Sequence, residues 1–161
     1  MNTEELNLVV HLVAKFITLS SFIALIGILL GLAFLVPDNK GYLPPISLTW
    51  LVGSVFFLVA EVAFILNTQI SEVISGNILR SFVTQTILGK LFGIQIIAAL
   101  ICALAAVRIK KTGGAVFLIF IAWIGGLATY LESHGSNSGH HMLAIGLVIV
   151  HVAALSLWFG G

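Results

Sequence analysis

Four of the five histidines of this chain come after residue 130. His134, His140 and His141 fall in the stretch SHGSNSGHH, Met142 follows at once, and His151 stands in AIGLVIVHVAALSLW. Imidazole is the commonest metal ligand, moves protons near neutral pH and can hold a haem iron. The Gly, Ser and Asn of the loop let it fold over a bundle mouth and turn His134, His140 and His141 inward; the plainer reading is a polar loop. His151 has no polar neighbour in its own stretch. It follows His140 by eleven residues, about three helical turns, so the two share a face about 16 Å apart. That separation is too long for one ion and suits two successive stations, an outer acceptor and a deeper one. The alternative for His151 is a hydrogen bond across helices to a hydroxyl such as that of Thr129.

A second group of ionisable residues lies inside apolar runs or at their ends: His11 and Lys15, four residues apart and so on one face, Glu61, Lys90 with Gln95 beyond it, and Glu132, which closes the fourth run. An ionisable group in hydrocarbon costs at least ~2.5 kcal/mol, so such groups face the bundle, pair, and mark functional positions. Counting about 1.5 Å per residue puts Lys15 and Glu61 at similar depth, roughly 10 Å below one surface, which makes them the expected pair. A lock between the first two helices, with Lys15 and Lys90 snorkelling outward, is the structural alternative.

The elements that must position these groups are membrane helices. Apolar residues make up 60% of the chain and charged ones 8%, with a mean hydropathy of +1.18, whereas soluble domains carry about 25% charged residues. Apolar runs at approximately 8–36, 46–66, 86–107, 115–131 and 142–160 are each long enough to cross ~30 Å of hydrocarbon as a helix. They are separated by PDNKGYLPP, NTQISEVISGNILRSFVTQ, RIKKTGG and ESHGSNSGHH. The expected fold is all-α: a polytopic membrane helical bundle with about five transmembrane helices, forming a single domain over 1–161. Period-two alternation is absent, which argues against a β-barrel. The acidic opening MNTEELN and the long run behind it predict a first helix that is retained rather than cleaved. Cys102 reads as a small hydrophobe, and a net charge of +1 gives no electrostatic footprint for nucleic acid.

Short-loop lysines and arginines mark the cytoplasmic side. Lys40 lies between the first two runs, and Arg108, Lys110 and Lys111 lie between the third and fourth. With five helices these loops share a side, so the amino terminus and the histidine loop are expected outside and the carboxyl terminus in the cytoplasm, the bundle spanning an inner or plasma membrane. His11, Lys15, Glu61, Lys90, Glu132, His134, His140 and His141 then crowd the outer half, and His151 lies about 15 Å down. The inner half is almost wholly apolar.

HVAALSLWFGG resembles the His-(small/apolar)-Trp-x-Gly-Gly pattern of the copper-resistance D (CopD) family of integral membrane proteins. TQTI followed by GKLFGIQIIAALICAL is similar to that family's Thr-x-x-Gly-(Arg/Lys) helix entry, here Thr86, Gly89 and Lys90, and SHGS resembles its (Gly/Ser)-His-(small) segment. Order and spacing agree across roughly 80–161; before Thr84 helix lengths rather than motifs carry the likeness, and the chain looks like a short form. The resemblance implies that His134 and His151 belong to a shared polar set, with Trp158, Gly160 and Gly161 shaping the last helix. It also implies copper acquisition in a bacterial inner membrane beside a periplasmic copper chaperone.

Copper(I) favours thioether and thiolate. With only Met142 near the histidines, a site of His134, His140 or His141 and Met142, with His11 contributing, suits Cu(II) or a mixed His/Met Cu(I) site. His151 and Glu61 would continue the path inward. Gly125, Gly126 and Gly146 would let the fourth and fifth helices approach closely. Two other readings stand beside this one. A b-type haem subunit needs two histidines level on facing helices, and His11 is shallower than His151 by ~9 Å. A non-catalytic accessory subunit would act with a partner membrane subunit or as a homo-oligomer. No paired carboxylates in a cleft, activated nucleophile or phosphate-cradling loop is evident, so catalysis is not expected.

Overall fold

The computed structural model describes residues 2–34, 39–75, 77–109 and 112–133, and, in the closing segment, 146–147, 150–151, 153–156 and 158. Among the described residues there is helix and no strand. α1 runs Thr3–Phe34, and a 3-10 turn at Asn39–Tyr42 leads into α2, Leu43–Leu66. Two short helices follow, α3 at Ile70–Ser75 and α4 at Ile78–Gln85, then α5 at Ile87–Ala106 and α6 at Thr112–Ser133. The described residues of the closing segment after 145 are helical.

Local chemistry explains the boundaries. α1 starts five residues before its apolar run because Asn2 and Glu5 form a capping box. The Asn2 Oδ1 accepts from the Glu5 N–H at 2.8 Å, and the Asn2 N–H donates to Glu5 Oε2 at 3.1 Å. Prolines at the first turn of α2, where no N–H is missed, open that helix at Leu43 rather than at residue 46. α2 ends in a Schellman motif: Asn67 is left-handed (φ 48°, ψ 44°), the Thr68 N–H donates to Ala63 O at 3.1 Å and the Asn67 N–H to Phe64 O at 3.3 Å. The polar stretch after α2, expected as a plain connection, thus holds α3 and α4.

The Thr86–Gly89 pair is a corner. Thr86 caps α5 by accepting the Gly89 N–H at 2.9 Å while donating to Phe82 O of α4 at 2.8 Å. A Cβ on Gly89 would stand 2.1 Å from Phe82 O, so only glycine lets α4 meet α5 this way.

α1, α2, α5 and α6 form a ring in which α1 packs on α2, α2 on α5, α5 on α6 and α6 on α1. α1, α2 and α5 are long and apolar enough to cross a membrane, and α6 contributes a shorter apolar stretch, Gly113–Ala128. Large apolar side chains such as Phe16, Ile97, Leu104, Phe120 and Ile124 are exposed on the outside of the ring, as lipid contact requires. Buried positions on α1 recur at three and four residues, giving one seam: Asn7, His11, Ala14, Thr18, Ser21 and Phe22, then Leu25, Leu29 and Leu32. The seam is polar toward the amino terminus and apolar beyond. There Phe22, Leu25, Ile26, Leu29, Leu43, Trp50, Cys102 and Leu118 share one core, while Ala14, Phe57, Val62, Ala63, Val73 and Phe92 form a second beside the polar half.

α6 reaches this core through its glycines. A Cβ on Gly125 would lie 2.3 Å from that of Ala98, and one on Gly126 2.3 Å from the ring of Phe22. The two glycines thus bring α6 against α5 and α1, whereas the expected approach was to the closing segment. Gly146 has no described atom within 4 Å of where a Cβ would be.

Candidate functional site

α1 and α2 run antiparallel, and where their polar positions meet, His11 and Glu61 face each other. Nδ1 of His11 lies 2.9 Å from Oε2 of Glu61, with both side chains mostly buried. The two atoms make this contact without the angle of a directed hydrogen bond, and neither has another hydrogen-bond partner among the described residues. The imidazole stacks on Phe64 (centroids 4.7 Å apart, planes at 24°) and tilts against Phe57 at 5.6 Å. Two rings of α2 therefore hold the imidazole plane, and Glu61, between them in sequence, takes its edge.

Lys15, expected as the partner of Glu61, sits one turn further along α1, half-buried, where its charge acts on both His11 and Glu61. The close pair made by the described residues is thus His11–Glu61, with the charge of Lys15 nearby. Depth counting placed Lys15 and Glu61 level, but the antiparallel register brings the earlier residue of the same α1 face opposite the carboxylate.

Polar contacts flank the pair at both ends. Toward the amino terminus, the buried Asn7 donates from Nδ2 to Ala63 O at 3.2 Å and to Thr68 O at 2.9 Å. Toward the other end, Gln95 of α5 donates from Nε2 to Ser54 Oγ at 3.0 Å, and Ser54 in turn donates to Trp50 O at 2.7 Å. Ser54 stands seven residues before Glu61, two turns along the same face of α2, about 10 Å deeper. Beyond it the aromatic cluster of Trp50, Phe22 and Trp123 closes the seam.

The remaining expected residues are not gathered here. Lys90 is exposed on α5, and His151 and Trp158 are exposed on the closing segment. Glu132 lies in the last turn of α6. His134, His140, His141, Met142 and Gly160 lie outside the described residues. Among the described residues no three His, Cys, Asp or Glu side chains come close enough to hold one metal ion, and Cys102 is buried in the apolar core. Asn7, Ser54, Phe57 and Phe64 were not singled out from sequence. The signal available for Asn7 and Ser54 was spacing: Asn7 is four residues before His11, and Ser54 is seven before Glu61.

Helices of this length and apolarity, with a buried histidine–carboxylate pair between the first two, define an all-α, multi-pass membrane protein. A family model, copper resistance protein D-like, N-terminal domain, matches residues 4–140, and the chain belongs to that family. The matched span takes in α1–α6, including the first half, where helix lengths carried the likeness; HVAALSLWFGG lies beyond it. No curated protein and no solved structure matches the chain.

Proposed function

We propose that this chain carries copper ions into the bilayer of a bacterial inner membrane, and that the His11–Glu61 pair is a station on their path. The family supplies the metal, and one observation supports the station: an imidazole nitrogen and a carboxylate oxygen, 2.9 Å apart, buried between two membrane-spanning helices. A nitrogen and an oxygen donor suit Cu(II) better than Cu(I), and both side chains are mostly buried. Lys15, one turn deeper, presents a positive charge that an ion leaving the pair must pass. In this reading Lys40, Arg108, Lys110 and Lys111 mark the cytoplasmic side. The amino terminus and the pair then lie toward the outside, where the histidine loop and a periplasmic chaperone would deliver the ion. The chain moves or holds the metal and catalyses no reaction on it.

The test is a copper titration of the detergent-purified chain against His11→Ala, Glu61→Gln, His134→Ala and His151→Ala. Loss of a tight site in His11→Ala and Glu61→Gln is expected. Wild-type binding in all four variants would remove the proposal. The optical spectrum of the same sample addresses the haem alternative, because a bound haem gives an intense Soret band.

A further inference from the structure

We infer that Asn7 is a positioning residue that sets the register of α1 against α2 and so holds His11 opposite Glu61; its copper readout rests on the reading above. Asn7 is only 3% exposed, and its amide uses both Nδ2 protons on carbonyls of another segment, Ala63 O at 3.2 Å and Thr68 O at 2.9 Å. Those two residues bracket the Schellman turn, since the Thr68 N–H already donates to Ala63 O. The side chain therefore staples the last turn of α2 from α1. Asn7 and His11 are four residues apart on one face of α1, and Ala63 follows Glu61 by two residues, so the staple lies one turn from the pair.

Among the described residues no other side-chain hydrogen bond along this seam joins α1 to α2. The hydroxyls of Thr18, Ser21, Ser47 and Ser54 all donate to carbonyls of their own helices, which fixes no register between helices. The apolar contacts of Ala14, Phe57 and Val62 are non-directional and tolerate sliding. A slip of one residue moves a helix by about 1.5 Å along its axis and turns the facing side chain by about 100°, enough to separate His11 from Glu61.

The test uses the full chain in detergent with ¹⁵N-labelled histidine, the His11 signal being the one absent from His11→Gln. Glu61→Gln shifts the His11 Nδ1 resonance by removing the carboxylate charge. Asn7→Leu keeps the side-chain volume and removes both donors, and it is expected to shift the same resonance while the other histidine signals stay in place. Ser47→Ala, which removes an intrahelical bond at the far end of α2, leaves it unmoved. Copper affinity in Asn7→Leu falls about 10–100-fold, as for other residues that orient a ligand. A His11 resonance in Asn7→Leu identical to that of the wild type overturns the inference, whatever copper does. A shifted resonance in a protein whose wild type binds no copper removes the copper reading and leaves the positioning role standing. Should Asn7→Leu fail to fold, Asn7→Ala is read instead; failure of both where Glu61→Gln folds overturns positioning in favour of a purely structural role.

Discussion

Gly126 of α6 stands so close to Phe22 of α1 that a Cβ added to it would lie 2.3 Å from the ring. The ring has nowhere to go. It is 1% exposed, tilted against Trp50 at 5.5 Å and edge-on to Trp123 at 6.1 Å. Gly126→Val must therefore push α6 off α1, and overpacking of this kind costs about 1–3 kcal/mol. Thermal unfolding in detergent should show the loss, and Gly113→Val, where a Cβ meets no described atom within 4 Å, should show none of this clash.

The buried Gln95–Ser54 contact ties α5 to α2 and should matter less. Ser54→Ala removes one acceptor, and hydrogen bonds between membrane helices average about 0.6 kcal/mol, because a chain unfolded in the membrane finds other partners. A smaller drop than in Gly126→Val is expected in the same unfolding measurement. A larger one would mean that the polar seam, and not the small-residue contact, holds the ring together.

Hydropathy alone located the helices that span, because burying backbone in lipid leaves few alternatives to a long apolar helix. Capping was legible too, as Asn2-x-x-Glu5, yet a count that starts at the first apolar residue passes over it. α4 escaped that count for another reason: ILRSFVTQ is short and amphipathic, and lies outside any apolar run. The partner of Glu61 was the instructive miss. Depth along two antiparallel helices narrows the choice to one face of α1, where His11 and Lys15 are one turn apart. Deciding between them takes the axial register, which depends on where α2 ends and what holds that end, namely Asn67 and Asn7. The two glycines of α6 were legible as small residues at an interface, whereas what they press against, Ala98 and Phe22, depends on the order of helices around the ring.

Asn67 occupies a left-handed conformation in which a Cβ-bearing residue other than Asn or Asp is strained by about 1–2 kcal/mol. Asn67→Gly should leave stability unchanged or raise it slightly. Asn67→Val should lower it by at least ~1 kcal/mol, since β-branching adds to the strain at positive φ. Protease sensitivity between α2 and α3 is a local readout: it should rise in Asn67→Val and stay at the wild-type level in Asn67→Gly.

His11 and Glu61, if they bind copper as a unit, must fail as a unit. Each single variant, His11→Ala or Glu61→Gln, removes one donor and leaves the other buried beside Lys15, where a lone ligand holds an ion poorly. The double variant should then bind copper no more weakly than the worse of the two singles, a non-additivity that independent sites do not show. The same titrations repeated from pH 5.5 to 7.5 carry a sign, because a ligating imidazole must be neutral. Affinity should rise with pH as the imidazole loses its proton. In His11→Ala that rise should flatten. Additive losses in the double variant, together with an unaltered pH slope in His11→Ala, would mean that the pair holds the helices together and that copper binds elsewhere.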